Sequence, residues 1–333
     1  MIVLMIGTAL VCMALGYPVM RFLRYYEFWD QPNERSSHEG TVLRGGGLAP
    51  LCVQLAALGV WIVPTNPSIG WPWFCGLLVL GGISLLDDKI HVPAGWRLII
   101  QIGVCGWVTF SFAGEQWSVV GVALATLLFV ALINFVNFMD GINGLVAGQI
   151  ALIAGGLGLF IADNETSIIV MAMVVSGSAL GFLPHNFPKA RVFLGDVGSI
   201  TLGFSLGILL LLGGLKAGEM SGGFVSLLIL PAYFFLEGVI AIGRRLIANE
   251  PIWTPHREHF YQRLIRAGWS HSHVAGVIWA IQIVMTITVF LGADRIVPVG
   301  MGLFCLLVWA VAFGYAEHTF KRHVQNSSSE SAS

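Results

Sequence analysis

The stretch Leu124-Ala-Thr-Leu-Leu-Phe-Val-Ala-Leu-Ile-Asn-Phe-Val-Asn-Phe-Met-Asp-Gly-Ile-Asn-Gly144 changes character halfway along. Leu124 to Ile133 is almost purely apolar; then Asn134, Asn137, Asp140 and Asn143 arrive at steps of three, with Gly141 and Gly144 among them. Such an apolar run suits hydrocarbon, where polar side chains are expensive, so the change marks where the chain reaches water. On a helix, steps of three make one polar stripe. The stripe has two readings at this level: Asn side chains that bond to a neighbouring helix, or four oxygen-bearing side chains suited to a hard cation.

Working outward, 56% of the 333 residues are hydrophobic and only 11% are charged. With a mean hydropathy of +0.81, the chain has too little polar surface for a soluble domain. The expected fold is all-α, a polytopic integral membrane protein. Apolar windows long enough to cross a bilayer fall at about 1–23, 45–63, 71–87, 96–114, 117–136, 144–162, 166–184, 197–215, 222–246, 273–292 and 297–316, which predicts about eleven transmembrane helices. Residues 1–324 are read as one transmembrane catalytic domain and the Ser-rich residues 325–333 as a disordered tail. Residues 1–20 lack a basic n-region, so they read as an uncleaved first span. The few basic residues are neither clustered in a basic domain nor interleaved with aromatics on a polar face, so no nucleic-acid role is expected. The five cysteines lie in apolar stretches without C-x-x-C spacing, so no disulfide framework or zinc site is expected.

Fifteen of the seventeen Lys and Arg fall on one side of this arrangement, all except Lys216 and Arg295. The positive-inside rule makes that side cytoplasmic, with the N-terminus outside and the C-terminus inside. The opposite side has short links, with Trp61, Trp71, Trp73 and Trp117 placed as an aromatic belt. The polar chemistry gathers on five cytoplasmic segments, 24–44, 87–95, 134–143, 185–197 and 247–272, the last expected to carry a short amphipathic helix at the interface.

Four further motifs lie in those segments. Leu85-Leu-Asp-Asp-Lys89 puts Asp87 and Asp88 side by side at the edge of hydrocarbon, where they repel one another unless a cation neutralises them. The plainer reading is a charged helix end that stops the span. Arg191-Val-Phe-Leu-Gly-Asp-Val-Gly-Ser199 sets Asp196 at a helix start, either as a cap or beside an anion site. Pro255-His-Arg-Glu-His-Phe-Tyr-Gln-Arg263 crowds two His and two Arg together, suited to pyrophosphate or sugar hydroxyls. Arg44-Gly-Gly-Gly47 adds a cation and a glycine run. Glu237, inside the ninth window, has no assigned role.

In order, D-Q-P-N-E-R, G-G-G-L, L-D-D, N-F-V-N-F-M-D-G-I-N-G-L, F-L-G-D-V-G-S and the His-rich loop closely resemble the polyprenyl-phosphate N-acetylhexosamine-1-phosphate transferases, the superfamily of the phospho-MurNAc-pentapeptide translocase. Each motif alone is weak, but the ordered set on one membrane face is specific. The resemblance implies a bacterial inner-membrane enzyme, its site facing the cytoplasm, that moves a sugar 1-phosphate from a UDP-N-acetylhexosamine to undecaprenyl phosphate and releases UMP. It implies Mg2+, with Mn2+ as the alternative, held by Asn137 and Asp196. It further implies Asp87 and Asp88 as the catalytic acidic pair, Phe193 stacking on uracil, Asn143 bonding to uracil, and His256, Arg257 and His259 binding diphosphate and sugar. Asp140 and Arg44 join the site without a defined role.

Many members show D-D-x-x-D; here the last position is His91, so no metal role is assigned to it. The His-rich loop looks more like the O-antigen-initiating branch, with sugars such as GlcNAc, FucNAc or QuiNAc, than the peptidoglycan branch. Membrane lipids are the expected surroundings, and oligomeric state is left open with a homodimer among the options. The rivals from other classes are an ion-coupled secondary transporter, against which the acids sit at the rim and no repeat is visible, and a non-catalytic lipid-diphosphate binding protein.

Overall fold

The computed structural model describes residues 1–30, 40–90, 92–160, 166–217, 229–250, 259–292 and 298–330. Helix α1 (Ile2–Tyr25) leads into a small antiparallel hairpin, β1 (Trp29–Asp30) and β2 (Val42–Leu43), with Trp29 opposite Leu43. Helix α2 (Leu48–Ala57) continues through a π-helical stretch, Leu58–Ile62, into α3 (Val63–Thr65). Pro64 has no N–H to return to the preceding turn, so the helix widens ahead of it. Then follow α4 (Pro67–Ile90), α5 (Ala94–Ala113), α6 (Val119–Phe138), α7 (Leu145–Phe160), α8 (Thr166–Asn186) and α9 (Gly195–Ala217). Beyond these lie α10 (Ala232–Ile247), α11 (Phe260–Arg266), α12 (His271–Gly292) and α13 (Pro298–Glu330).

The protein is an all-α polytopic membrane protein, the β1–β2 hairpin aside. A helix covers each of the eleven expected windows, at least in part. Eight candidate spans among the described residues are long and apolar enough to cross a membrane: α1, the α2–α3 unit, α4, α5, α6, α8, α9 and α12. Helix α7 is apolar but shorter. Helix α13 continues through Gln325 to Glu330, so the start of the Ser-rich tail is helical in this structure.

Helix α9 is the axis of the fold and the most buried of the eight. It packs against α2, α4, α6, α7 and α8, while α1 lies along α8. Small residues set these distances. A Cβ on Gly177 or Gly181 of α8 would stand 2.4 Å from Met5 O or 2.3 Å from Ala9 O of α1, so the two backbones touch there. Likewise a Cβ on Gly47 would stand 2.0 Å from Gly198 Cα, which brings the start of α2 onto the first turn of α9.

Two expectations are corrected. Trp73 does not join an aromatic belt: it is fully buried and its Nε1 donates to Ser205 Oγ at 3.0 Å. A ring turned inward with a bonded N–H belongs to the core. Trp61 and Trp71 are exposed as expected. The polar stripe is also not on one helix: Asn134 and Asn137 belong to α6, which ends at Phe138, and Asp140 and Asn143 lie in the turn before α7. Gly144, at φ +76°, takes the left-handed conformation that breaks the helix.

Candidate active site

The C-terminal ends of α4 and α6 and the N-terminal ends of α2, α5, α9 and α12 meet at one end of the bundle. Asp87 and Asp88 arrive on the last turns of α4, Arg97 on the first turn of α5, and Asp196 on the first turn of α9. Arg44 enters from the end of the hairpin, its N–H donating to Phe28 O at 3.0 Å.

These side chains form one network. Arg44 Nε lies 2.7 Å from Asp88 Oδ1, and its Nη2 lies 2.6 Å from Asp196 Oδ1. Arg97 Nη1 reaches Asp196 Oδ2 at 2.7 Å and also pairs with Asp87 Oδ2. Each guanidinium therefore joins Asp196 to one member of the Asp87–Asp88 pair. The Asp88 side chain is wholly buried and accepts backbone N–H bonds from Asp196 at 2.9 Å and Val197 at 3.1 Å. Asp87 accepts the Val92 N–H at 2.6 Å. Gly195 makes this approach feasible: it sits at φ +72°, and a Cβ there would meet Asp88 Oδ2 and Gly45 N at 2.7 Å.

Beside the network lies a cavity of about 270 Å³, lined among others by Asp30, Arg44, Asn137, Asp140, Asn143, Asn186, Phe193, Asp196, Gln262 and His271. Asp87 and Asp88 do not line it; they reach it through the two arginines and Asp196. Phe193 is half-buried, with its backbone held on both sides: its N–H donates to Leu43 O at 2.7 Å and its carbonyl accepts from Gly46 N at 2.9 Å. Asn143 donates to Pro188 O at 3.0 Å, and Gly144 N donates to Asn186 Oδ1 at 2.5 Å. Burial pushes the Asp140 carboxyl well above the usual carboxylate range. Arg44 pulls it down, nearby Asp196 and Asp88 push it further up, and the Gly195 backbone hydrogen bond lowers it. Burial also works against the charge on Arg44, but Asp88, Asp196 and Asp30 outweigh it and raise its pKa.

Of the residues singled out in the sequence, Arg44, Asn137, Asp140, Asn143, Phe193 and Asp196 come together at the cavity, with Asp87 and Asp88 behind them. His259 does not line it: its side chain is 4% exposed and faces Glu237. His256, Arg257 and His91 lie outside the described residues. Asn134 instead joins two helices, its Nδ2 donating to Gln101 Oε1 of α5 at 2.7 Å. Arg97, Asn186, Gln262 and His271 are contributors the motifs missed. Arg97 had a signal, as the only cation in an otherwise apolar helix a few residues after the acidic pair.

The donor chemistry suits a hard divalent cation: Asp196 and Asp140 carboxylates and the Asn137 carbonyl are oxygen ligands, and carboxylates outnumber guanidiniums around them. Among the described residues no group of three or more His, Cys, Asp or Glu forms a ready-made cage. Both Asp196 oxygens are held by arginines, and Asn137 Oδ1 accepts from Ser199 Oγ at 2.6 Å.

A bundle of apolar helices of membrane-spanning length, with a polar, arginine-bridged acidic cluster at one end, defines an integral membrane protein whose charged groups gather at that end of the bundle. Residues 71–214, which carry most of that site, match Glycosyl transferase family 4. The chain is 30% identical to the probable undecaprenyl-phosphate N-acetylglucosaminyl 1-phosphate transferase of Bacillus subtilis, over 78% of this chain and 75% of the relative. It is 30% identical to the phospho-N-acetylmuramoyl-pentapeptide-transferase of Moorella thermoacetica, over 84% and 94%. It is 28% identical to the decaprenyl-phosphate N-acetylglucosaminephosphotransferase of Mycobacterium leprae, over 74% and 72%. The chain belongs to glycosyl transferase family 4.

Proposed function

We propose that the protein transfers an N-acetylhexosamine 1-phosphate from a UDP-sugar to undecaprenyl phosphate, at the cytoplasmic face of a bacterial inner membrane, in a Mg2+-dependent reaction. The observation that carries this reading is the double bridge, with Arg44 and Arg97 each tying Asp196 to one of the adjacent acids beside a cavity walled by Asn143 and Phe193. The relatives, named as polyprenyl-phosphate hexosamine-phosphate and phospho-N-acetylmuramoyl-pentapeptide transferases, support the reaction class.

In this reaction an oxygen of the lipid phosphate attacks the sugar-bearing phosphorus. The new P–O bond forms as the bond to the oxygen of UMP breaks. Both reactants are anions, so their repulsion has to be offset before they meet. Asp196, Asn137 and Asp140 are the residues that would hold Mg2+, which supplies charge neutralisation on the phosphate oxygens. Arg44 and Arg97 are partly exposed and can turn N–H groups toward incoming phosphate. Phe193 offers a ring held by fixed backbone for the nucleobase, with Asn143 beside it as a hydrogen-bonding side chain. In this direct route Asp87 orients or deprotonates the lipid phosphate; in the alternative route its carboxylate first displaces UMP from the sugar-bearing phosphorus, and the lipid phosphate then attacks that phosphorus and releases Asp87. Asp88, with its oxygens committed to Arg44 and two backbone amides, holds Asp196 in place.

A second cavity, apolar and about 130 Å³, lies between α5, α6, α9 and α10 and is lined by Trp117 just before α6 and by Ala125 to Leu132 along it. It suits part of a polyprenyl chain whose phosphate sits at the polar end. For the sugar, the sequence of the His-rich loop favours GlcNAc or a 6-deoxy N-acetylhexosamine over the MurNAc-pentapeptide, while the relatives divide between GlcNAc and MurNAc-pentapeptide transferases. Purified protein supplied with undecaprenyl phosphate, Mg2+ and a panel of UDP-sugars tests the reading. UMP release with formation of a lipid-diphosphate sugar is expected. No release with any donor overturns the reaction, and exclusive use of UDP-MurNAc-pentapeptide overturns the sugar preference.

A further inference from the structure

Glu237 is an acid inside α10, 1% exposed, whose burial is costly unless other groups compensate it. Its Oε2 accepts the Phe260 backbone N–H at 3.2 Å and lies 3.5 Å from His259 Nδ1. Its Oε1 accepts from Tyr233 Oη at 3.5 Å. The carboxylate thus grips the first residues of α11.

What α11 carries explains why that grip matters. The His259 N–H donates to Gln262 Oε1 at 3.3 Å, and Gln262 lines the polar cavity. The Tyr261 ring stacks on His259 with 5.9 Å between centroids, and its hydroxyl donates to Phe138 O at 3.1 Å. A Cβ on Gly141 would stand 2.2 Å from that hydroxyl, so Tyr261 presses directly on the turn that bears Asp140 and Asn143. One buried acid therefore reaches two walls of the site, Gln262 directly along α11 and the 139–144 turn through Tyr261.

We propose that Glu237 is a positioning residue for the transfer reaction, holding α11 so that Gln262 faces the cavity and Tyr261 braces the turn between α6 and α7. The inference rests on the reaction proposed above. Small displacements of groups that orient a substrate cost about 100-fold in rate, and residues acting through one contact do not add.

The test is a cycle of Glu237→Leu, Gln262→Ala and the double variant, each measured for Mg2+-dependent UMP release and for thermal unfolding in detergent, with Glu237→Gln alongside. Glu237→Leu is expected to stay folded and to lose about 100-fold in kcat/KM. Glu237→Gln keeps an acceptor for the Phe260 N–H and is expected to retain most activity. The double variant is expected to be no worse than Glu237→Leu alone. A folded Glu237→Leu protein at the wild-type rate, or losses that multiply in the double variant, overturns the proposal. Should Glu237→Leu not fold, Glu237→Asp, whose shorter side chain draws the carboxylate back from the Phe260 N–H, takes its place in the cycle, and a folded Glu237→Asp protein at the wild-type rate overturns the proposal. A wild type that releases no UMP overturns the reaction itself, a result distinct from an active Glu237→Leu.

Discussion

Asp87 and Asp88 are adjacent in sequence and different in surroundings. The Asp88 side chain is wholly buried and serves two backbone amides and Arg44, whereas Asp87 pairs with Arg97 and one amide. Asp88→Ala leaves those donors unpaired inside the protein, so a stability loss of about 3–5 kcal/mol is expected, read as a lower unfolding temperature in detergent. Asp87→Ala should cost less stability, about 1–3 kcal/mol, while still abolishing measurable transfer. Arg97→Lys replaces a planar fork with a single ammonium that cannot serve Asp87 and Asp196 in the same way. A loss of about 100-fold in kcat is expected, and a Lys variant at full activity would show that the bridge is dispensable. The pair itself was legible in the sequence. Its division of labour was not, because both side chains are buried and which donors each meets depends on how α4 is rotated against the first turn of α9.

At the scale of elements, helix spacing is set by contacts between small residues. Gly47→Ala drives a Cβ against Gly198, and such overpacking costs about 1–3 kcal/mol and shifts Arg44, three residues before it in the link from the hairpin to α2. At Gly82, nothing lies within 4 Å of an added Cβ, so Gly82→Ala is the control expected to leave unfolding temperature and activity unchanged. The apolar cavity gives a second element-scale prediction. Leu128→Trp narrows it, so KM for undecaprenyl phosphate should rise while KM for a short-chain acceptor stays level. Equal effects on both acceptors would remove the cavity from lipid binding. The expected interfacial helix in the segment 247–272 also needed tertiary information. Helix α11 is there, but Arg263 pairs with Glu317 of α13 at 2.7 Å and Phe260 stacks on Phe313, so it docks on the protein. Its sequence shows an amphipathic face and cannot say what that face meets.

For the whole molecule, the charge asymmetry predicts sidedness. In a cysteine-free background, a cysteine at Lys189 should resist a membrane-impermeant maleimide in intact cells, and one at Glu115 should react; the reverse pattern would invert the topology. The periods of apolar residues, the Lys and Arg distribution and the ordered polar motifs determined the solvent, the helical class and most of the residues at the site, because each is written in the local chain and in its length relative to a bilayer. Tertiary structure alone decided that Asn134 joins α6 to α5 while Asn137 turns to the cavity, that Trp73 is core, that Arg97 bridges Asp87 to Asp196, and that Glu237 grips α11. Those facts depend on the rotation and depth of one helix against another, which is set by close glycine contacts and buried hydrogen bonds between residues far apart in the chain.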